Sequence, residues 1–176
     1  MSDTNLLAEA PDPLRVMYSK DSDEWATPVE LYDWLNQTFQ FTLDPCATDE
    51  NHKTSRYFTI AGNGLSQSWA NERVFMNPPY SEVKLWMEKA YLSAQNGGAS
   101  VVCLVAARTD TRWWQDWVLN KANEIQFLAG RVMFSRPGKG ANAAPFPSAV
   151  VIYRPPLERR RARRLIDEVV AARAKR

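Results

Sequence analysis

A single histidine, His52, and two cysteines, Cys46 and Cys103, stand in 176 residues. That scarcity leaves a His/Cys metal centre without ligands and a Ser-His-Asp relay almost without material. Zinc-dependent base deaminases are disfavoured on the same ground. Two cysteines fit reduced thiols better than a disulfide framework. No apolar run approaches the roughly 20 residues that cross a bilayer. Met1 to Asp12 lacks the basic and apolar regions of a secretory signal. A cytoplasmic protein with no metal and no membrane partner is the expectation.

What is present is ordinary globular composition, 45% hydrophobic and 24% charged, enough for one domain and too little for two. The net charge of +2 is unevenly spread. Arg154 to Arg176 carries nine Lys/Arg against Glu158, Asp167 and Glu168, and the rest of the chain is mildly acidic. A basic tail on an acidic body fits either a nucleic-acid partner or a solvated terminal helix.

Along the chain, residues 1–22 are polar, with Pro11 and Pro13, and read as a flexible arm. Thr27-Pro28-Val29-Glu30 reads as a helix start, with Thr27 as cap, Pro28 in the first turn and Glu30 completing a capping box. Leu31, Trp34, Leu35 and Thr38 continue at helical spacing. Phe39 to Leu43 then reads as a strand ending at Asp44-Pro45-Cys46-Ala47. A short helix is expected near Asp49 to Lys53, a strand over Ser55 to Thr59 and a turn at Ala61 to Gly64.

Arg73 to Met76 is a short apolar strand running into Asn77-Pro78-Pro79-Tyr80. Ser81 is expected to cap a helix to about Gln95, with Val83, Trp86, Met87, Ala90 and Tyr91 buried. Asn96-Gly97-Gly98 ends it. Ser100 to Val105 reads as a buried strand, and Arg112 to Leu119 as a Trp-rich helix. Glu124 to Leu128, Val132 to Phe134 and Ala149 to Tyr153 read as strands, with a Gly/Pro-rich loop from Ser135 to Pro147. A basic helix is expected from about Glu158, within a terminal segment 156–176. The pattern predicts one α/β domain over 23–155, Rossmann-like, with a mostly parallel sheet and a C-terminal antiparallel hairpin. Such sheets bind ligands at the carboxyl ends of their strands, where Asp44 and Asn77 fall.

Asn77-Pro78-Pro79-Tyr80 suits chemistry on a planar amine. An adenine amine is a poor nucleophile because its lone pair is delocalised into the ring. Methylating it needs acceptors that grip the amine hydrogens and aim the lone pair. Asn77 offers a side-chain carbonyl and Pro78 a backbone carbonyl. Pro78 and Pro79 stiffen the loop beforehand. Tyr80 offers a ring for a flipped base. Alone, the tetrapeptide is equally readable as a turn with a surface tyrosine.

Seven pieces in order carry a resemblance. They are Asp23 to Pro28, Asp44 to Ala47, Gly64-Leu65 with Trp69, Asn77 to Tyr80, Ala107 to Thr111 with Trp113-Trp114, Gly130 to Phe134, and Pro145 to Val151. Together they resemble the small phage-type DNA N6-adenine methyltransferases, the phage Dam family, over about Asp23 to Pro155. The resemblance implies S-adenosylmethionine as methyl donor and DNA as acceptor. It implies cofactor contacts at Thr27, Pro28, Asp44, Pro45, Cys46 and Ala47, with Asn63 or Leu65 lining the adenine pocket. It implies that an aromatic before the last strand, Phe146, stacks on the extruded base together with Tyr80; Phe134 competes for that role. Asp44 reads equally as a helix cap, and Phe146 as a core residue.

One departure stands out. Asp44-Pro45-Cys46-Ala47-Thr48-Asp49 has no glycine where methyltransferases usually have a glycine-rich turn. Arg108, Arg112, Arg131, Arg136 and Lys139 are candidate DNA contacts, the first two also readable as an ion-paired loop. The same tetrapeptide also serves enzymes that methylate cytosine N4, RNA adenine or protein glutamine. An inactive DNA-binding relic would keep the fold as well.

Overall fold

The computed structural model describes residues 25–136 and 140–156. The expected arm (1–22), the basic helix from Glu158 and Lys139 lie outside the described residues, as does the side chain of Arg136. The elements run α1 (Val29–Phe39), β1 (Arg73–Met76), α2 (Val83–Gly97), β2 (Ser100–Ala106), α3 (Arg112–Trp117), β3 (Glu124–Phe127), β4 (Met133–Arg136), β5 (Gly140–Ala143) and β6 (Ser148–Tyr153). A 3-10 turn, Tyr80–Glu82, precedes α2.

The main sheet has the order β1-β2-β6-β3. β1 and β2 are parallel, and β6 is antiparallel to both β2 and β3. The pairings are therefore mostly antiparallel, which corrects the expected mostly parallel sheet. The cause is one strand. β6 runs against its neighbours and inserts between β2 and β3, so a single reversal makes two antiparallel ladders. The last two expected strands do not pair with each other: β4 pairs with β5 in a separate two-stranded sheet, and the final strand, β6, lies between β2 and β3 of the main sheet.

β2 and β6 are apolar throughout because both their faces are covered. Val101, Cys103, Val105, Val151 and Tyr153 pack with Trp86, Met87 and Ala90 of α2 and Trp113 and Trp114 of α3. Val102, Leu104, Val150 and Ile152 pack on the opposite face with Tyr32 and Leu35 of α1, Phe134 of β4 and Phe146. The sheet is thus sandwiched between two layers, and each buried aliphatic side chain contributes about 1.5–3 kcal/mol of transfer free energy.

Several local expectations change. Thr27 is not a helix cap: Pro28 takes that place, with no side-chain cap bond. Nor is Ser81, since α2 starts after Glu82. Trp34 is 54% exposed; α1 buries Tyr32 and Leu35 instead. The helix ends at Gln40, in the left-handed region at φ 49°, with its N–H on Asn36 O. Asn36 Oδ1 also accepts the Phe41 N–H, which stops further winding. α2 ends as expected, at left-handed Gly98. Residues 49–51 form a turn rather than a helix. The segments expected as strands over 39–43 and 55–59 contribute single parallel bridges, Leu43 to Val74 and Asp44 to Tyr57. The expected loop after Ser135 contains β5.

Those bridges place the site. From Leu43 the chain moves outward to Tyr57, then returns past Leu43 to form β1, and continues to β2 on the other side. Leu43 and β1 are adjacent parallel segments from which the chain departs in opposite directions. A crevice opens at their carboxyl ends, where strand order reverses.

Candidate active site

A cavity of about 420 Å³ occupies that crevice. Its size suits a nucleotide-sized ligand. Thr27, Asp44 to Ala47, Asn63, Leu65, Asn77 and Pro79 all line it. Asp44 to Ala47 and two residues of the second loop, Asn77 and Pro79, therefore face one space, whereas Pro78 and Tyr80 are not among its lining residues. Pro28 lies instead beside a shallow groove with Arg131 and Met133.

The floor is the loop after Leu43. Asp44 is 5% exposed, and the Lys53 N–H donates to its Oδ2 at 3.1 Å. Burial pushes its carboxyl up to about 6, against the opposing pull of the Lys53 and Cys46 backbone N–H groups and of nearby Lys53 and His52. Cys46 is held as a neutral thiol by burial, and the Asn77 backbone N–H reaches its sulfur. That contact ties the two strand ends together.

The raised carboxyl gives a stability prediction. The folded state favours protonated Asp44, so its contribution is fully present below about pH 4 and is lost as pH rises to about 6. The change is about 3 kcal/mol in the ligand-free protein. Urea unfolding of wild type and Asp44→Asn across pH 4–7 should show their difference growing by roughly that amount. A pH-independent difference would refute it.

The opposite wall is the 60–65 turn. Asn63 takes φ 43°, a left-handed conformation that asparagine tolerates. Its N–H donates to Ile60 O, and its carbonyl accepts from the Ser66 N–H. Gly64 packs against the Pro45 backbone so closely that no side chain fits. Its carbonyl accepts the Trp69 indole N–H at 2.9 Å.

Asn77 leaves β1 with its amide clamped on one side. Nδ2 donates to Trp25 O at 2.5 Å and to Thr27 Oγ1 at 3.2 Å. Oδ1 is buried without a partner among the described residues. A buried unpaired acceptor costs about 1–3 kcal/mol, so it marks a position where a donor is expected to arrive.

Tyr80 and Phe146 are brought together, ring centroids 4.9 Å apart and edge-to-face. The Tyr80 hydroxyl is buried without a partner among the described residues, and burial keeps the phenol protonated. Arg108 lies over the Phe146 ring at 5.8 Å. The Ala107 N–H on Pro147 O holds that loop against the Phe146 segment. Phe134 is fully buried beyond Trp25, at 5.7 Å from its ring. Arg112 is exposed, with Asp116 3.9 Å away. Arg131 is exposed as well.

Sequence reasoning missed other lining residues: Trp25, Asn51, Lys53, Ile60 and Trp86. Ile60 is 89% exposed at the rim, and an apolar residue in a polar turn was the available signal. Trp86 sits on the expected buried face of α2, yet its indole N–H has no partner among the described residues. Helical periodicity marks burial and is silent on that donor. Among the described residues no His/Cys/Asp/Glu group could hold a metal, and no helix is long and apolar enough to cross a membrane.

The layered α/β fold thus sets Asn77 and Pro79 of the Asn-Pro-Pro-Tyr loop, with a buried amide oxygen that has no partner among the described residues, at a cavity beside the strand ends. Residues 16–174 match the family "DNA N-6-adenine-methyltransferase (Dam)", and the chain belongs to that family. It is 29% identical over 140 residues to the DNA N-6-adenine-methyltransferase of Haemophilus phage HP1, covering 77% of this chain and 80% of that protein. It is 29% identical over 105 residues to the DNA N-6-adenine-methyltransferase of Escherichia phage T1, covering 58% of this chain and 44% of that longer protein.

Proposed function

We propose that this chain methylates the exocyclic N6 amine of adenine in DNA, with S-adenosylmethionine as donor and the cavity between Asp44 and Asn77 as its site. Family membership supports the reaction, and the unpartnered Asn77 Oδ1 carries the assignment of the site.

The donor set fits the cofactor. Buried Asp44 offers a carboxylate to a cationic ligand, Lys53 a cation to its carboxylate, and Ile60 and Leu65 apolar surface to its adenine. When bound, S-adenosylmethionine supplies an electrophilic methyl group. The protein's part is alignment. Asn77 Oδ1 accepts one hydrogen of the adenine amine and the Pro78 carbonyl the other, drawing the nitrogen from planar toward tetrahedral. Pro78 and Pro79 hold those acceptors in place before the reaction, so little reorganisation remains. A neutral Tyr80 presents its ring to the extruded base. Its edge-to-face contact with Phe146 leaves no slot between the rings, so the base lies against this pair and is not sandwiched by it. Arg108, Arg112 and Arg131 supply cations for the DNA backbone, a role proposed for Arg136 and Lys139 as well.

Labelled S-adenosylmethionine and unmethylated DNA, followed by digestion to nucleosides, tests the reaction. N6-methyladenine is expected; N4-methylcytosine alone, or no transfer, would overturn it. Phe146→Ala should raise the KM for DNA roughly tenfold, the scale of one aromatic–base contact, and should also lower the melting temperature, because the ring is buried in the core. Phe134→Ala should lose stability by about 3–5 kcal/mol with no change in KM, because that ring is fully buried. Steady-state kinetics and thermal melts separate the two; an unchanged KM for Phe146→Ala would remove it from the base site.

A further inference from the structure

The expected roles of Thr27 were helix cap and cofactor contact, yet its hydroxyl faces the Asn77 amide from 50 residues away in sequence. Thr27 is 4% exposed, so this hydroxyl is not freely solvated. The Trp25 carbonyl is the second partner of the same Nδ2. A carbonyl oxygen only accepts, so its contact fixes which end of the amide faces the 25–27 segment. Both Nδ2 hydrogens are then engaged, and Oδ1 is turned the other way.

The 25–27 segment is itself anchored. Ala26 pairs antiparallel with Ser135 of β4, through Ala26 N–H to Ser135 O at 3.0 Å and Ser135 N–H to Ala26 O at 3.2 Å. The Trp25 ring lies edge-on to Phe134 at 5.7 Å and Phe146 at 6.3 Å. The segment is thus a strap, hydrogen-bonded to the β4–β5 hairpin on one side and to Asn77 on the other.

We infer that Trp25 and Thr27 are positioning residues for methyl transfer: they lock the Asn77 amide with Oδ1 toward the acceptor amine, and the Ala26–Ser135 pairing holds them in register. The inference rests on the role proposed for Asn77. It differs from a cofactor contact at Thr27 in what it changes. A lost cofactor contact weakens cofactor binding. A lost positioning contact leaves binding intact and slows transfer, because the amide can then turn.

Two substitutions in the full chain separate these outcomes. Thr27→Val keeps the shape and removes the acceptor; Thr27→Ser restores it. Thr27→Val should slow single-turnover methylation of DNA roughly tenfold, the scale of one hydrogen bond at a reacting centre. Its Kd for S-adenosylmethionine should stay within about twofold, and Thr27→Ser should recover most of the rate. A readout independent of turnover is hydrogen exchange at the Asn77 side-chain amide in asparagine-labelled protein, by NMR. Exchange should quicken in Thr27→Val and return in Thr27→Ser. Ser135→Pro, which removes the N–H given to Ala26, should quicken the same exchange from outside the cavity. Weakened cofactor binding with an unchanged rate in Thr27→Val would overturn the inference. So would unchanged Asn77 exchange in both Thr27→Val and Ser135→Pro. Should wild type transfer no methyl group while the exchange pattern holds, the methylation reading fails and the strap stands as an orienting device.

Discussion

Asn77→Ala is expected to lower the methylation rate by a factor of about 10²–10³, the scale of removing one preorganised polar group from a reacting centre. Its Kd for S-adenosylmethionine should change by no more than a few-fold. Asn77 Oδ1 is a buried acceptor at the cavity without a partner among the described residues. Alanine also removes the amide hydrogens that the Trp25 carbonyl and the Thr27 hydroxyl accept. The variant should therefore lose about 1–3 kcal/mol of stability, and melting must be followed beside activity. Asn77→Asp sharpens the test. It keeps an acceptor but sets a carboxylate oxygen against the Trp25 carbonyl, where no hydrogen lies between them. Its rate should fall as well, which separates orientation from mere acceptor chemistry. Single-turnover methylation and calorimetric cofactor binding measure the two quantities. Near-normal transfer by Asn77→Ala would remove the loop from the reaction.

The strands around this site were legible because they are buried on both faces. Val74 to Met76, Val101 to Ala106 and Ala149 to Tyr153 are unbroken apolar runs, and such runs mark interior strands whatever their partners. Partner and direction leave no local mark, so the insertion of reversed β6 between β2 and β3 could not be read from the residues. β5, Gly140-Ala141-Asn142-Ala143, has low strand propensity and is exposed; it is a strand because β4 pairs with it.

Thr27 shows the same limit at a single residue. Thr-Pro-Val-Glu satisfies every local rule for a capping box, yet the hydroxyl goes to Asn77 because the fold brings that amide alongside. The cavity-lining positions that had motif signals, Asp44 to Ala47 with Asn77 and Pro79, were legible. Lys53 and Trp86 had none, since they come from a loop and a helix face that meet only in three dimensions.

Gly64→Ala is expected to weaken S-adenosylmethionine binding roughly 10- to 100-fold, corresponding to the 1–3 kcal/mol typical of forced overpacking. A Cβ at Gly64 would lie 1.9 Å from Pro45 O, 2.9 Å from the Pro45 carbonyl carbon and 3.2 Å from the Trp86 ring. The first two atoms are backbone, so no rotamer change relieves the clash. The Gly64 carbonyl is fixed by the buried Trp69 indole, so the 60–65 turn is not free to retreat. The loop carrying Asp44, Cys46 and Ala47 must then shift, and with it the cavity floor. This accounts for the glycine-free Asp44-Pro45-Cys46-Ala47 sequence. The close backbone approach at this loop is met by a glycine from the facing turn, 19 positions after Pro45. Gly62→Ala is the matched control. Its nearest neighbours would lie at 3.6 Å, an ordinary contact, so binding should change little. Calorimetric titration of both variants decides the matter, with melting to follow any loss of fold. Equal affinities for Gly64→Ala and Gly62→Ala would mean that the cofactor floor tolerates displacement and that the packing of Gly64 on Pro45 plays no part in binding.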